Sequence, residues 1–362
     1  MIKQILLYSL LCLLPALGMA QYEFTPIKTI ACTAIKDQGR TGTCWSFSTL
    51  SFLESELMRM GEQEADLSEM FLVRTVYKDK AQNYFLRQGK ANFSQGSLSH
   101  DVIRAYKMGG VVPESAYSGK PKGTRHDHNR MEEDLKRLLD NAMKDPKLRT
   151  VWRDSFEHIM NGYIGYVPRE FDVADTTYTV EGYTESLPLN PDDYWSFTSF
   201  THHPFYEQFI LEIPDNYSNG SYWNVPILAL KNIVDEALEK GYTVAWDGDV
   251  SEKGFSAKAG IAVLPKVTDQ KDIFKVPSTE KEVDQALRQA TFEDYSTTDD
   301  HLMHLIGTAK DQNGTRYYVV KNSWGEIGTH QGYLYMSEAY FLLKTVGIMV
   351  HQESVPNSIR EK

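Results

Sequence analysis

Lys36 to Thr49 read KDQGRTGTCWSFST, and how this stretch folds decides the rest of the chain. Gln38 stands six residues ahead of Cys44, with Gly39 and Gly42 between them. Leu50, Leu53, Leu57 and Met60 follow at helical spacing, which predicts a helix starting at or near Cys44 with one buried stripe. A thiol at a helix N-terminus sits in the positive end of the macrodipole, which favours the thiolate, the nucleophilic form. The two glycines let the preceding loop turn tightly enough for the Gln38 amide and the Cys44 backbone N–H to face one small volume. Two donors so placed can hold an oxyanion.

The pattern Q-G-x-x-G-x-C-W-S-F-S resembles the active-site segment of papain-like cysteine peptidases. That resemblance implies that Gln38 is an oxyanion donor, Cys44 attacks, and Trp45 flanks the substrate cleft. Further motifs follow in the family's order. Asp300 to Gly307, DHLMHLIG, resembles the histidine segment, and Tyr317 to Gly325, YYVVKNSWG, resembles the asparagine segment. A Cys44-His301-Asn322 triad is thereby implied, with Trp324 shielding the His301–Asn322 hydrogen bond. His301 and His304 are three apart, so in a strand they point to opposite faces and only one can face a cleft. The family pattern places a glycine six residues after its histidine, and Gly307 stands there relative to His301. His304 is left as a satisfied sheet residue. Gly96, in Gln95-Gly96-Ser97-Leu98, stands where the family presents backbone groups to the substrate chain. The implied fold is α+β with two lobes, a helical lobe carrying Cys44 and an antiparallel sheet or barrel lobe carrying His301.

The chain has 362 residues, 41% hydrophobic and 24% charged, which is ordinary for a globular protein with a full core. Residues 1–20, MIKQILLYSLLCLLPALGMA, read as a secretory leader with a small-residue cleavage site before Gln21. The apolar run is too short for a membrane span. An exported protein, periplasmic or extracellular, is expected. Its formal net charge is −11, and Lys3 is the only charged residue of the leader, so the remainder is more acidic still. That balance argues against nucleic acid or anionic lipid as a partner. Beyond the leader only Cys32 and Cys44 remain, too few for a disulfide framework. Cys32 reads as a small buried hydrophobe. No cofactor is called for.

Asp66-Leu67-Ser68-Glu69 reads as a capped helix start, and Asp101 to Met108 as another helix. Met131 to Lys144 and Val151 to Tyr163 carry apolar faces at helical spacing, a helical insertion over about 117–191. The helical lobe is expected over about 36–116 and the sheet lobe over about 225–355. The insertion, with Asp192 to Phe197 and Tyr242 to Phe255, resembles the enlarged bleomycin hydrolase and aminopeptidase C group. The resemblance implies peptide substrates, N-terminal trimming and a hexameric assembly. In that group a C-terminal arm presents its carboxylate to the substrate's free amine, whereas only 40 residues follow Asn322 here. An endopeptidase or oligopeptide hydrolase, and an inactive peptide-binding homologue, are the alternatives. His126-Asp127-His128 and His202-His203 read as solvated loops rather than metal ligands, since no spacing completes a tetrahedral set. Asp247 and Asp249 read as turn residues beside Gly248.

Overall fold

In the computed structural model, which describes residues 21–120, 125–267 and 272–362, two hydrophobic cores lie on either side of one helix. The leader expected at residues 1–20 falls outside the described residues. The first core is built from the helices Cys44–Arg59, Glu69–Leu86, Ser99–Gly109, Asn129–Lys144 and Trp152–Ile164. Ser68 caps the second of these by accepting from the Phe71 N–H at 3.1 Å. Asp101 turns back on the third, its carboxylate accepting from the Leu98 N–H at 3.2 Å. The insertion also contains the short hairpin Glu170–Val173 and Thr176–Thr179 and the helix Val180–Ser186.

The second core backs a sheet of eleven strands. Its middle runs Thr345–His351, Val244–Gly248, His301–Lys310, Arg316–Lys321 and Tyr333–Ser337, each antiparallel to the next. The sheet reaches beyond the stretch expected from sequence. Thr25–Thr29 pairs with His301–Lys310, and Tyr194–Thr198 pairs with Thr345–His351. An exposed strand edge offers unpaired N–H and C=O groups, so distant segments that cover it are stabilised there.

The helix Cys44–Arg59 departs from the expected single stripe, because every residue from Cys44 to Leu57 is buried. Leu50, Phe52, Leu53 and Leu57 are fully enclosed, each contributing roughly 1.5–3 kcal/mol. The opposite side is lined by hydroxyls. Ser48 Oγ donates to the Met303 carbonyl at 2.7 Å, Ser51 Oγ meets His304 Nδ1 at 2.9 Å, and Ser55 Oγ donates to the Ala31 carbonyl at 2.9 Å. A helix wedged between two bodies needs an apolar face for one and hydrogen-bonding groups for the strand backbone of the other.

Candidate active site

The wedge carries Cys44 to the strand that begins at His301. The N–H of Leu302 donates to the Cys44 thiol, so the sulfur lies against the peptide group joining His301 to Leu302. The two histidines fall on opposite faces of the strand. Leu302 and His304 face the helix, whereas Met303 and Leu305 enter the sheet core. His304 is fully buried and turned to Ser51, seven residues along the helix from Cys44.

His301 Nε2 lies 2.7 Å from Asn322 Oδ1. The same oxygen accepts from the Ser323 N–H at 2.8 Å, which fixes it as the carbonyl end of the amide. Nε2 of His301 therefore carries the hydrogen, and Nδ1 is left with its lone pair, the tautomer a base needs. Trp324 covers this bond, its ring centroid 4.5 Å from that of the imidazole. Burial pushes Cys44 up to about 12, and it pushes His301 down to about 4 against the opposing effect of Asn322. Each group alone favours its neutral form in this dry site. A proton passed from the thiol to an imidazole beside it would leave two charges that offset one another.

The Gln38 loop is tied to the Asn322 loop at several points. Gln38 N–H donates to the Ser323 carbonyl at 2.8 Å, Gly325 N–H to the Lys36 carbonyl at 3.0 Å, and Ser323 Oγ to Gln38 Oε1 at 2.6 Å. Gln38 Nε2 donates one hydrogen to the Thr41 carbonyl at 2.7 Å, leaving its second amide hydrogen uncommitted. Gly39 has φ +71°, and a Cβ there would stand 2.4 Å from the His126 carbonyl oxygen, so the loop requires glycine. The N–H of Cys44 belongs to the first helical turn, where amides have no intrahelical acceptor.

Four sequence readings need correction. Trp45 is 1% exposed and offers no face to a substrate; its Nε1 donates to the Gly42 and Gln95 carbonyls at 3.1 and 2.9 Å and so pins the loop. His126 and His128 are buried rather than solvated, because their segment runs under the Gln38 loop. Arg40 N–H donates to the His126 carbonyl and His128 N–H to the Arg40 carbonyl at 2.8 and 3.2 Å. Burial pushes both imidazoles down, to about 3 and about 4. Asp247 and Asp249 are also buried, and Asp247 lies within a strand rather than a turn, whereas Asp249 follows that strand and accepts from the Ser251 N–H at 2.8 Å as a turn residue does. Asp247 lies in the strand Val244–Gly248 opposite Leu302, and Asp249 pairs with Lys344 at 3.2 Å. His202 and His203 lie in a turn at the surface, as the sequence suggested, and both bond Glu212 there, at 3.2 and 2.7 Å.

Gly96 is covered. A Cβ there would fall 1.7 Å from Asp215 Oδ2, and the Gly96 carbonyl accepts from the buried ammonium of Lys80. That carbonyl is not open to a substrate strand as the sequence pattern implied. Asp215 left no local signal, since its partners Asn92 and Ser94 lie far away in the chain. Ser323, by contrast, is Asn322's own neighbour in the sequence.

The segment leading to His301 is held by Lys344. Its ammonium donates to the Ser296 carbonyl at 2.6 Å and to Thr297 Oγ1 at 3.2 Å while pairing with Asp249. Lys344→Met leaves Asp249 buried without its cation. A loss of roughly 3–5 kcal/mol is expected, to be read as a lowered midpoint in denaturant unfolding; an unchanged midpoint contradicts it.

Comparison with known proteins agrees with this geometry. Residues 169–362 match the model of the Peptidase C1-like family, and residues 22–186 match that of the papain family cysteine proteases. The chain belongs to the Peptidase C1-like family. Within the family it is 22% identical to aminopeptidase G of Lactobacillus delbrueckii subsp. lactis, over 90% of this chain and 83% of the other. It is 24% identical to mouse bleomycin hydrolase, over 94% and 85%. Aminopeptidase C of Listeria monocytogenes is 23% identical, over 92% and 83%. The crystal structure of PepW from Lactobacillus rhamnosis shares the fold, with a TM-score of 0.74 at 17% identity over 93% of this chain and 84% of that one. The papain-like α+β architecture and the cysteine peptidase class are thereby established.

Proposed function

We propose that this cysteine peptidase is an exported aminopeptidase, acting through Cys44, His301 and Asn322. Cys44 attacks the scissile carbonyl as its proton passes to His301 Nδ1. The imidazolium then protonates the leaving amine, and water releases the acyl group by the reverse sequence. The uncommitted Gln38 hydrogen and the Cys44 N–H stabilise the oxyanion. Gln38→Ala is expected to lower kcat by roughly a hundred- to a thousandfold, measured on a chromogenic aminoacyl amide; a change below threefold removes Gln38 from this role.

The observation that carries the aminopeptidase reading is the closure at Gly96. Where an extended substrate would pair with that backbone, Asp215 stands over the α-carbon and Lys80 occupies the carbonyl. A cleft stopped on one side accommodates a chain end rather than a chain interior, and the aminopeptidases among the relatives point the same way. Peptides of one sequence with free or acetylated N-termini test it. Stepwise loss of N-terminal residues from the free peptide alone is expected; internal cleavage of both refutes the proposal. Export rests on the leader read at residues 1–20, and is tested by the N-terminus of the protein recovered outside the cytoplasm.

A further inference from the structure

A set of carboxyl groups descends from an open cavity to the side of the nucleophile. The cavity, about 750 Å³, is lined by Asp215, Asp299 and Asp300 together with the apolar Ile213 and Phe292. Asp300 is exposed and Asp215 and Asp299 are half-buried. Beneath them Asp247 is 4% exposed, opposite Leu302 in the sheet register and so on the helix side of the sheet, the side from which Cys44 approaches. Asp215, Asp247 and Asp299 all lie close enough to bear electrostatically on the Cys44 thiol.

Asp247 points to what this set is for. Neither of its oxygens meets a donor of the protein; its polar neighbour is the carboxyl of Asp299, itself an acceptor unless one of the two is protonated. A buried carboxylate without donors is costly and calls for a partner from outside. Among nearby cations Lys80 attracts Asp215 and Asp299, yet its hydrogen bonds go to the Ser94 and Gly96 carbonyls. Burial, then the surrounding carboxylates, push Asp299 up to about 7 against the pull of Lys80, and push Asp247 well above the ordinary carboxylate range.

We propose that Asp215, Asp299 and Asp247 form the subsite that receives the α-ammonium group of the substrate's N-terminal residue. The proposal rests on the aminopeptidase reading and supplies its recognition element from within the body of the fold. The ammonium brings three donors to oxygens that have none, with Asp215 closing the cleft behind it. With the amine held by these acids and Asp215 standing over Gly96, Cys44 is presented with the first peptide bond.

Three substrates with the same leaving group separate the possibilities: an alanyl amide, its propionyl analogue lacking the amine, and an Nα-acetyl-lysyl amide. The unaltered protein is expected to favour the alanyl over the propionyl compound. Absence of that preference overturns the aminopeptidase reading itself, before any variant is made. Given the preference, Asp299→Asn and Asp215→Asn are each expected to shrink it by roughly 10- to 100-fold, mainly through KM for the alanyl compound. Asp247→Asn should do the same, with thermal unfolding to show that the variant folds; if it does not, the two shallower substitutions decide. A preference kept intact in both Asp215→Asn and Asp299→Asn overturns the proposal. So does a loss confined to the acetyl-lysyl compound, which would assign the acids to a basic side chain instead.

Discussion

His301→Ala is expected to lower kcat/KM by roughly 10⁴- to 10⁶-fold, the scale on which single members of such catalytic sets act. The magnitude follows from the number of tasks that meet on one ring. Nδ1 takes the proton that turns a thiol pushed up to about 12 into a nucleophile, and the same nitrogen returns it to the leaving amine. His304, the other imidazole of the strand, is turned to Ser51 and does not replace it. His304→Ala supplies the contrast. That ring is fully buried and bonded to Ser51, so its removal costs stability by leaving a cavity and a Ser51 hydroxyl bonded to Lys321 alone, while turnover per folded molecule stays within about threefold. Steady-state rates normalised to folded protein test the pair. Similar losses in both variants would remove the distinction between the histidines.

Gly39→Val is expected to reduce kcat by roughly a hundredfold and to lower stability by about 1–3 kcal/mol. At φ +71° a β-branched residue is strained, and its Cβ would overlap the His126 carbonyl oxygen. The strain falls where the loop is most closely tied, between the Gln38–Ser323 contacts and the Arg40–His126 bond. Relief by moving the loop carries the Gln38 amide away from the oxyanion position, so activity and stability fall together. Gly61→Val, at a positive φ with open space around it, is the control for backbone strain alone. It should lose stability with kcat unchanged. Equal kcat values for the two variants would separate the loop from the chemistry.

What the sequence disclosed follows from how local each constraint is. Gln38, Cys44, His301 and Asn322 sit in short motifs whose residue types are dictated by the chemistry, and the helices Asn129–Lys144 and Trp152–Ile164 are written in their own periodicity. The apolar stripe Leu50, Leu53, Leu57 was legible too. The serines at 48, 51 and 55 were not, because a hydroxyl reads as solvent-facing until the strand carbonyl or imidazole it bonds is known. Asp247 misled for a related reason. Its neighbours Gly248 and Asp249 give a turn composition, but the strand pairing to Leu302 and Gly347 carries it inward. Trp45 and Gly96 were assigned to the cleft by resemblance, whereas here Gln95 and Asp215 cover them, residues whose approach no local pattern encodes.

Alkylation by iodoacetamide, followed residue by residue by mass spectrometry at neutral pH, bears most directly on the pairing of Cys44 with His301. Cys44 should react much faster than Cys32, the other free thiol of the described residues, and His301→Ala should slow Cys44 by at least tenfold while leaving Cys32 alone. Equal rates at the two thiols, or a Cys44 rate indifferent to His301→Ala, would show that the imidazole does not activate the sulfur.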